Sequence, residues 1–245
     1  MSFLFNELLY RPLLNALIAL YNTVAFHDVG VAIIILTVII RFVLYPLFYK
    51  SFKNQALMQK LQPEIQRIQK DHKESREKQA AAMMALYKTH RVNPFSSFLL
   101  ILVQLPILIA LYQVFLKGLS EATAANLYGF ISAPEIINPT FLGLINITVP
   151  SIVIVGLAGI AQYVQAKTMA PPRATGSGEL STAERMSRNM VFISPLITVL
   201  LLYSLPAAVG LYWLTTSVFS AVQQVIINKH LRVGDSTHGT IANKS

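Results

Sequence analysis

Apolar positions along the chain gather into five runs, at about 29–49, 95–116, 141–166, 189–205 and 207–227. Each is long enough to cross a bilayer as a helix, which predicts five transmembrane helices. Asn93 and Pro94 ahead of the second run form a helix start, a capping side chain followed by a residue that needs no N–H. Pro150 can kink the third. Little more than Pro206 separates the last two, which makes them an antiparallel hairpin. Residues 1–28 mix apolar positions with Asn6, Glu7, Arg11, Asn15 and Asn22, and Pro12 interrupts them. That pattern predicts an amphipathic helix lying at the membrane interface rather than a span. Residues 50–94 are polar but periodic. Ala56, Leu57, Leu61, Ile65 and Ile68 recur at helical spacing, and Ala80, Met83, Met84 and Tyr87 do so after the break KDHKES. Two helices joined near residues 71–75 would form a hairpin, with Pro63 expected to break or kink the first arm. The expected fold class is an all-α integral membrane protein with five transmembrane helices, an interfacial N-terminal helix and a helical hairpin.

Charge orients this chain. Only 13% of residues are charged, against about 25% in soluble domains. Residues 51–94 carry nine Lys/Arg against four Asp/Glu, whereas 118–140 carry no Lys or Arg and two Glu. Residues 167–188 carry four Lys/Arg, and Lys229, Arg232 and Lys244 follow the fifth run. Cationic segments stay in the cytoplasm. The hairpin 50–94, the loop 167–188 and the tail 228–245 are therefore expected to be cytoplasmic, and the loop 117–140 extracytoplasmic. The N-terminus then lies outside, the C-terminus inside, in a bacterial plasma membrane. Topology accounts for most of the net charge of +9 without a specific nucleic-acid partner. The segment 170–182 (APPRATGSGELST) reads as a loop. With no cysteine, disulfides, Cys-ligated metals and thioether anchors are excluded. No Walker-type loop is present, so ATP chemistry is not indicated. No cofactor and no enzymatic step are expected.

One charge breaks the pattern. Arg41 is the only charged residue between Val29 and Tyr49. A charge at the bilayer centre costs roughly 2.5–3.5 kcal/mol on insertion scales. None of the eleven acidic residues lies within a predicted span, so Arg41 has no carboxylate partner there. Nine residues separate it from Lys50, a depth of about 13 Å in a straight helix, so water must reach it. Thr37, Arg41 and Tyr45 share one helical face. Gln104 lies near the middle of the second run. Gln162 and Gln165 lie in the cytoplasmic half of the third, and Thr216 in that of the fifth, among further Gln and Ser/Thr. The bias predicts a groove open to the cytoplasm and closed outside. A channel or transporter for an anionic solute, or a structural partner of a translocation channel, remains an alternative. Methionine is adaptable and suits varied apolar partners. Met58, Met83, Met84, Met169, Met186 and Met190 all fall in or beside the cytoplasmic segments, and are candidates for a first contact with substrate or for packing alone.

The segments "GVAIIILTVIIRFVLYPL" (30–47), "ALYKTHRVNP" (85–94), "LVQLPILIALY" (102–112), "AQYVQAK" (161–167) and "LPAAVGLYWLTTSVFSAVQQ" (205–224), in that order, resemble the YidC/Oxa1/Alb3 membrane protein insertases. The resemblance implies a five-helix core with a cytoplasmic hairpin, and a positively charged groove that admits the hydrophilic flank of a substrate. It assigns the groove arginine to Arg41, its companion threonine to Thr37, the glutamine to Gln162 and the aromatic of the last span to Trp213, with Tyr212 beside it. The implied partners are nascent or newly made membrane proteins and the lipid bilayer, with a ribosome and a Sec-type translocon as further candidates. The large periplasmic domain and the lipoprotein cysteine of some relatives do not precede this core, so the interfacial helix is expected to hold the N-terminal end.

Overall fold

The computed structural model describes residues 3–117, 125–134, 137–170 and 182–242, with all their side chains except those of Ser97, 182–188 and 231–242. Most of the expected loop 170–182 and parts of the loop 117–140 lie outside the described residues. The architecture is helical, with a single two-stranded β-hairpin among the described residues.

Proline placement fixes where helices change direction. The N-terminal helix runs as a short α1 (Phe3–Phe5), a π-helical turn (Asn6–Tyr10) and α2 (Arg11–Thr23). Pro12 supplies no N–H to the carbonyl four residues back and its ring crowds that carbonyl. The turn ahead of it opens, and the Arg11 N–H bonds the Asn6 carbonyl instead. The apolar run 29–49 is not one straight helix. It is α3 (Val29–Val43) followed by α4 (Tyr45–Lys60), bent by 69°. Pro46 lies in the first turn of α4 and cannot bond the carbonyl of Phe42. This corrects the depth expected for Arg41, which lies two residues from the end of α3 rather than inside an unbroken helix. Pro63, expected to break or kink the first arm, lies at a break, where a new helix starts. α4 ends at Lys60 and α5 (Gln62–Asp71) has Pro63 in its first turn, where the missing N–H is no loss. α6 (Arg76–Thr89) is capped by Ser75, whose Oγ accepts from the Lys78 N–H. α5 packs antiparallel on α6 around Leu61, Ile65 and Val92.

α7 (Ser96–Lys117) follows, and Asn93 Oδ1 accepts from the Phe95 N–H, 2.9 Å, just ahead of it. The third run also differs from expectation. Residues 141–150 are not helical: β1 (Thr140–Phe141) and β2 (Ile145–Asn146) pair through a turn in which Leu142 and Gly143 have positive φ. α8 (Ile152–Thr168) begins only after Pro150. α9 (Thr182–Leu202) starts earlier than the apolar run that marked it, and α10 (Ala207–Ala242) runs beyond its own. Two helices among the described residues are long and apolar enough to cross a membrane, Phe3–Thr23 and Phe98–Leu116, or three if the bent pair is one span. The N-terminal segment expected at the interface is thus long enough to span. Ile152–Thr168 and Asn189–Leu202 are apolar but shorter.

α10 packs against α3, α4, α7, α8 and α9, so it is the hub of the fold. Its first N–H groups, which no helical carbonyl can satisfy, bond the loop before α8: Ala207 N to Val149 O at 2.9 Å and Ala208 N to Ile147 O at 3.0 Å. Asp28 does similar work at the head of α3. Its Oδ1 accepts from Val31 N at 2.9 Å, and Oδ2 from Leu142 N at 2.6 Å. Asp28→Ala removes a cap and a tether to the β-turn together. It should destabilise the protein by about 1–2 kcal/mol, read as a lower thermal midpoint of the purified chain. Asp28→Asn, which can still cap, should recover part of the loss.

Candidate functional site: a polar cavity around Arg41

Arg41 is 4% exposed. Three elements hold it there. Its guanidinium carbon lies 4.1 Å from the centre of the Phe48 ring on α4. That stacking is possible because the bend at Leu44 turns the next helix back across it. Arg41 Nη2 donates to the Thr216 carbonyl on α10, 3.3 Å. Among the described residues, Nη1 has no hydrogen-bond partner, and no carboxylate pairs with the guanidinium. A buried charge with an idle donor is costly unless a polar group meets it.

Arg41 also lines a cavity of about 260 Å³, together with Gln104, Gln162, Gln165, Trp213 and Thr216. The fold therefore brings together six of the nine residues singled out for a groove. The polar lining is organised. Gln162 Oε1 accepts from Trp213 Nε1 at 3.1 Å and from Ser217 Oγ at 3.0 Å. Gln104 Nε2 donates to the Tyr212 hydroxyl. Further along α10, Ser220 Oγ and both polar atoms of Gln223 are buried without partners among the described residues. Such groups call for water or a polar ligand. A second, smaller cavity of about 200 Å³ continues from Gln162 and Gln165 to Gln55 and Ser194.

Three expected residues do not line this cavity. Thr37 is buried and its hydroxyl donates to its own helix, at Ile33 O, 2.6 Å. Tyr45 stacks on Tyr49, with ring centres 6.1 Å apart. Tyr212 is 2% exposed and meets the cavity lining at Gln104, whose Nε2 donates to its hydroxyl. Conversely, Phe48, Phe52 and Ser217 line the cavity although the sequence pattern did not single them out, and Ser220, one of the further Ser/Thr groups expected there, lines it as well. The position one turn after Arg41 is Tyr45 and the one two turns after is Phe48. The break at Pro46 exchanges one for the other. Gln162→Leu should leave the Trp213 and Ser217 donors without an acceptor and destabilise the protein by about 1–3 kcal/mol. Trp213 is the only tryptophan, so the same variant should shift the protein's tryptophan emission.

The methionines divide. Met58 and Met83 pack in the hairpin seam against Leu61, Ile65 and Val92. Met169 packs near Phe48 and Phe52, and its carbonyl accepts from Gln59 Nε2. Met84 and Met190 are exposed, and Met190 lines the second cavity. Met186 lies on α9, and its side chain is outside the described residues.

Comparison with known proteins gives consistent matches. Residues 19–234 match the family model described as "60Kd inner membrane protein". The chain is 32% identical over 223 residues to "Membrane protein insertase YidC" of Fusobacterium nucleatum, covering 90% of this chain and 97% of that protein. It is 32% identical over 229 residues to the protein of the same name from Geobacter metallireducens, covering 94% of this chain. It spans only 38% of the length of that relative. Among solved structures, "Active YidC insertase crystal structure with the first transmembrane domain resolved" shares the fold, with a TM-score of 0.60 at 22% identity, over 91% of this chain and 46% of that one.

Proposed function

From a chain that belongs to the 60Kd inner membrane protein family, together with the YidC proteins, we propose a membrane protein insertase acting without cofactor or chemical step. The observation that carries the mechanism is the Arg41 cavity: a buried guanidinium with a donor unpartnered among the described residues, lining one cavity with glutamines and hydroxyls on apolar helices. Five helical passes are proposed: α3, α7, α8, the apolar part of α9 and the first part of α10. The hairpin of α5 and α6 and the basic loops then face the cytoplasm. The bilayer and nascent membrane proteins are the partners, with ribosome and Sec-type translocon as candidates to be tested.

The N-terminal helix is proposed to lie along the outer surface, although it is long enough to span. Asn15 near its middle and Asn22 near its end both hydrogen-bond one loop, at Asn126 O (3.0 Å) and Ser132 O (2.9 Å). Those contacts extend along the helix rather than gathering at one end. This supports a helix laid over the loop.

In the proposed cycle an apolar segment approaches from the cytoplasm, and its polar, often acidic, flank enters the cavity toward Arg41. The apolar part moves into lipid beside α8 and α10. Transfer of apolar area supplies the driving force, about 25 cal/mol per Å². The cavity lowers the barrier for the flank by replacing part of its hydration. α8 has 17 residues, about 25 Å of helix, less than the ~30 Å hydrocarbon core. Local thinning there would shorten the flank's path. Purified protein in liposomes should insert a small single-spanning substrate without other proteins, and should leave trapped anions in place. Anion release without insertion would overturn the reading in favour of a channel.

A further inference from the structure

A separate cavity of about 590 Å³ lies where the hairpin returns to the membrane core, between α4 and the start of α7. It shares no lining residue with the Arg41 cavity. The two lie on different faces of the same helices: Lys50 and Asn54 line this one, Phe48 and Phe52 the other. Its lining changes character along α7. At the hairpin end stand Lys50, Asn54, Arg91 and Asn93, and beyond them Phe98, Leu99 and Leu102. Among the described residues, neither Lys50 nor Arg91 has a carboxylate within ion-pair distance. Phe98, Leu99 and Leu102 are exposed.

Arg91 is held in place at a cost. Its φ of 51° is left-handed, and it follows α6 where Val92 N bonds Tyr87 O at 3.0 Å. This is the helix-ending geometry that favours glycine. A non-glycine residue there is strained by its Cβ. An arginine is consistent with a use for the side chain, and Arg91 lines the same cavity as Lys50.

We propose that this cavity binds one anionic glycerophospholipid. Its phosphate lies between Lys50 and Arg91, hydrogen-bonded by Asn93 or Asn54, and one acyl chain lies along Phe98, Leu99 and Leu102. The volume falls within the ~300–1,000 Å³ of small-ligand sites. Two unpaired cations fix the sign of the headgroup. The exposed apolar wall is what a free phosphate would leave unused. Basic pockets at the cytoplasmic end of membrane helices suit such headgroups. The inference rests on the reading above only in needing α7 in the bilayer, and its test needs no insertion substrate.

The test uses the full chain reconstituted with Phe98→Trp in a Trp213→Phe background, so one tryptophan reports from the wall. Brominated phosphatidylglycerol should quench it in preference to brominated phosphatidylcholine, with ~10-fold higher relative affinity. Leu200→Trp in the same background, on an exposed part of α9, should show no comparable preference. Lys50→Gln with Arg91→Gln should bring the preference close to one, whereas Lys50→Arg with Arg91→Lys should keep it. This charge-preserving pair separates a lost site from a misfolded chain. Equal quenching by both lipids at Phe98→Trp would overturn the proposal. So would a preference that survives the double glutamine substitution, or one that inorganic phosphate abolishes at constant ionic strength, which would mark a simple anion site.

Discussion

Arg41→Ala is expected to reduce insertion of substrates with acidic external flanks by at least about tenfold, and of those with neutral flanks much less. A carboxylate about 4 Å from the guanidinium would gain up to about 4 kcal/mol at an effective dielectric of 20. Even a third of that is a tenfold rate difference. The effect is selective because the charge is otherwise unpaired: it is not needed to neutralise anything within the described residues. Arg41→Lys keeps the charge but loses the planar fork that stacks on Phe48 and reaches the Thr216 carbonyl. It should retain much of the activity. Removing the buried charge should also not lower stability greatly, since an unpaired ion carries its own desolvation penalty. Initial insertion rates in liposomes, with matched acidic and neutral flanks, read the difference. Equal rates for wild type and Arg41→Ala on the acidic substrate would remove Arg41 from the mechanism.

The largest expected effect on stability is at Gly30. A Cβ there would lie 2.3 Å from Cδ2, 2.6 Å from Cγ and 2.7 Å from Cβ of Phe141. The obstruction is the base of a side chain as well as its ring, so a rotamer change alone does not clear it. Gly30→Ala must push the β1–β2 hairpin away from α3. That movement loads the Asp28 to Leu142 bond and the Ile147 backbone that receives the start of α10. Overpacking of a tight contact costs about 1–3 kcal/mol, and the coupled tethers put this one at the upper end. Phe141→Gly, which removes the Cβ at 2.7 Å along with the ring, should relieve the clash when combined with Gly30→Ala. The pair should then be less destabilising than the sum of the single changes, which unfolding midpoints of the four proteins would show.

Arg41 was legible from sequence because its chemistry is loud: one charge in an apolar run, with no carboxylate nearby. Gln104, Gln162, Gln165 and Thr216 were legible for the same reason, whereas Trp213 was assigned by the family resemblance. Each of the four is a polar group where apolar ones dominate, and the structure gathers all five with Arg41. Thr37 rested on helical spacing and the family resemblance, and Tyr45 on spacing alone, which holds only while the helix is continuous. Pro46 was visible in the sequence as a breaker. Its consequence, a 69° turn that brings Phe48 onto Arg41, depends on tertiary packing. The start of α8 was misjudged because residues 141–149 are apolar enough to pass for the head of a span. The φ signs at Leu142 and Gly143, and the Asn146 Oδ1 bond to Thr148 N at 2.9 Å, are turn features that hydropathy does not register. The cavity at Lys50 and Arg91 is not legible in the sequence, because the two are distant along the chain and each reads alone as an ordinary boundary charge.

The most direct test of the central claim is one-sided access to the cavity. The chain has no cysteine, so single cysteines at Ser217 and Ser220, which line the cavity on α10, can be labelled without background. A membrane-impermeant maleimide should modify both in inverted vesicles, where the cytoplasmic face is outward, and neither in right-side-out cells. An arrested acidic-flank substrate should protect both. Labelling from both sides, or none from either, would contradict a groove open only to the cytoplasm.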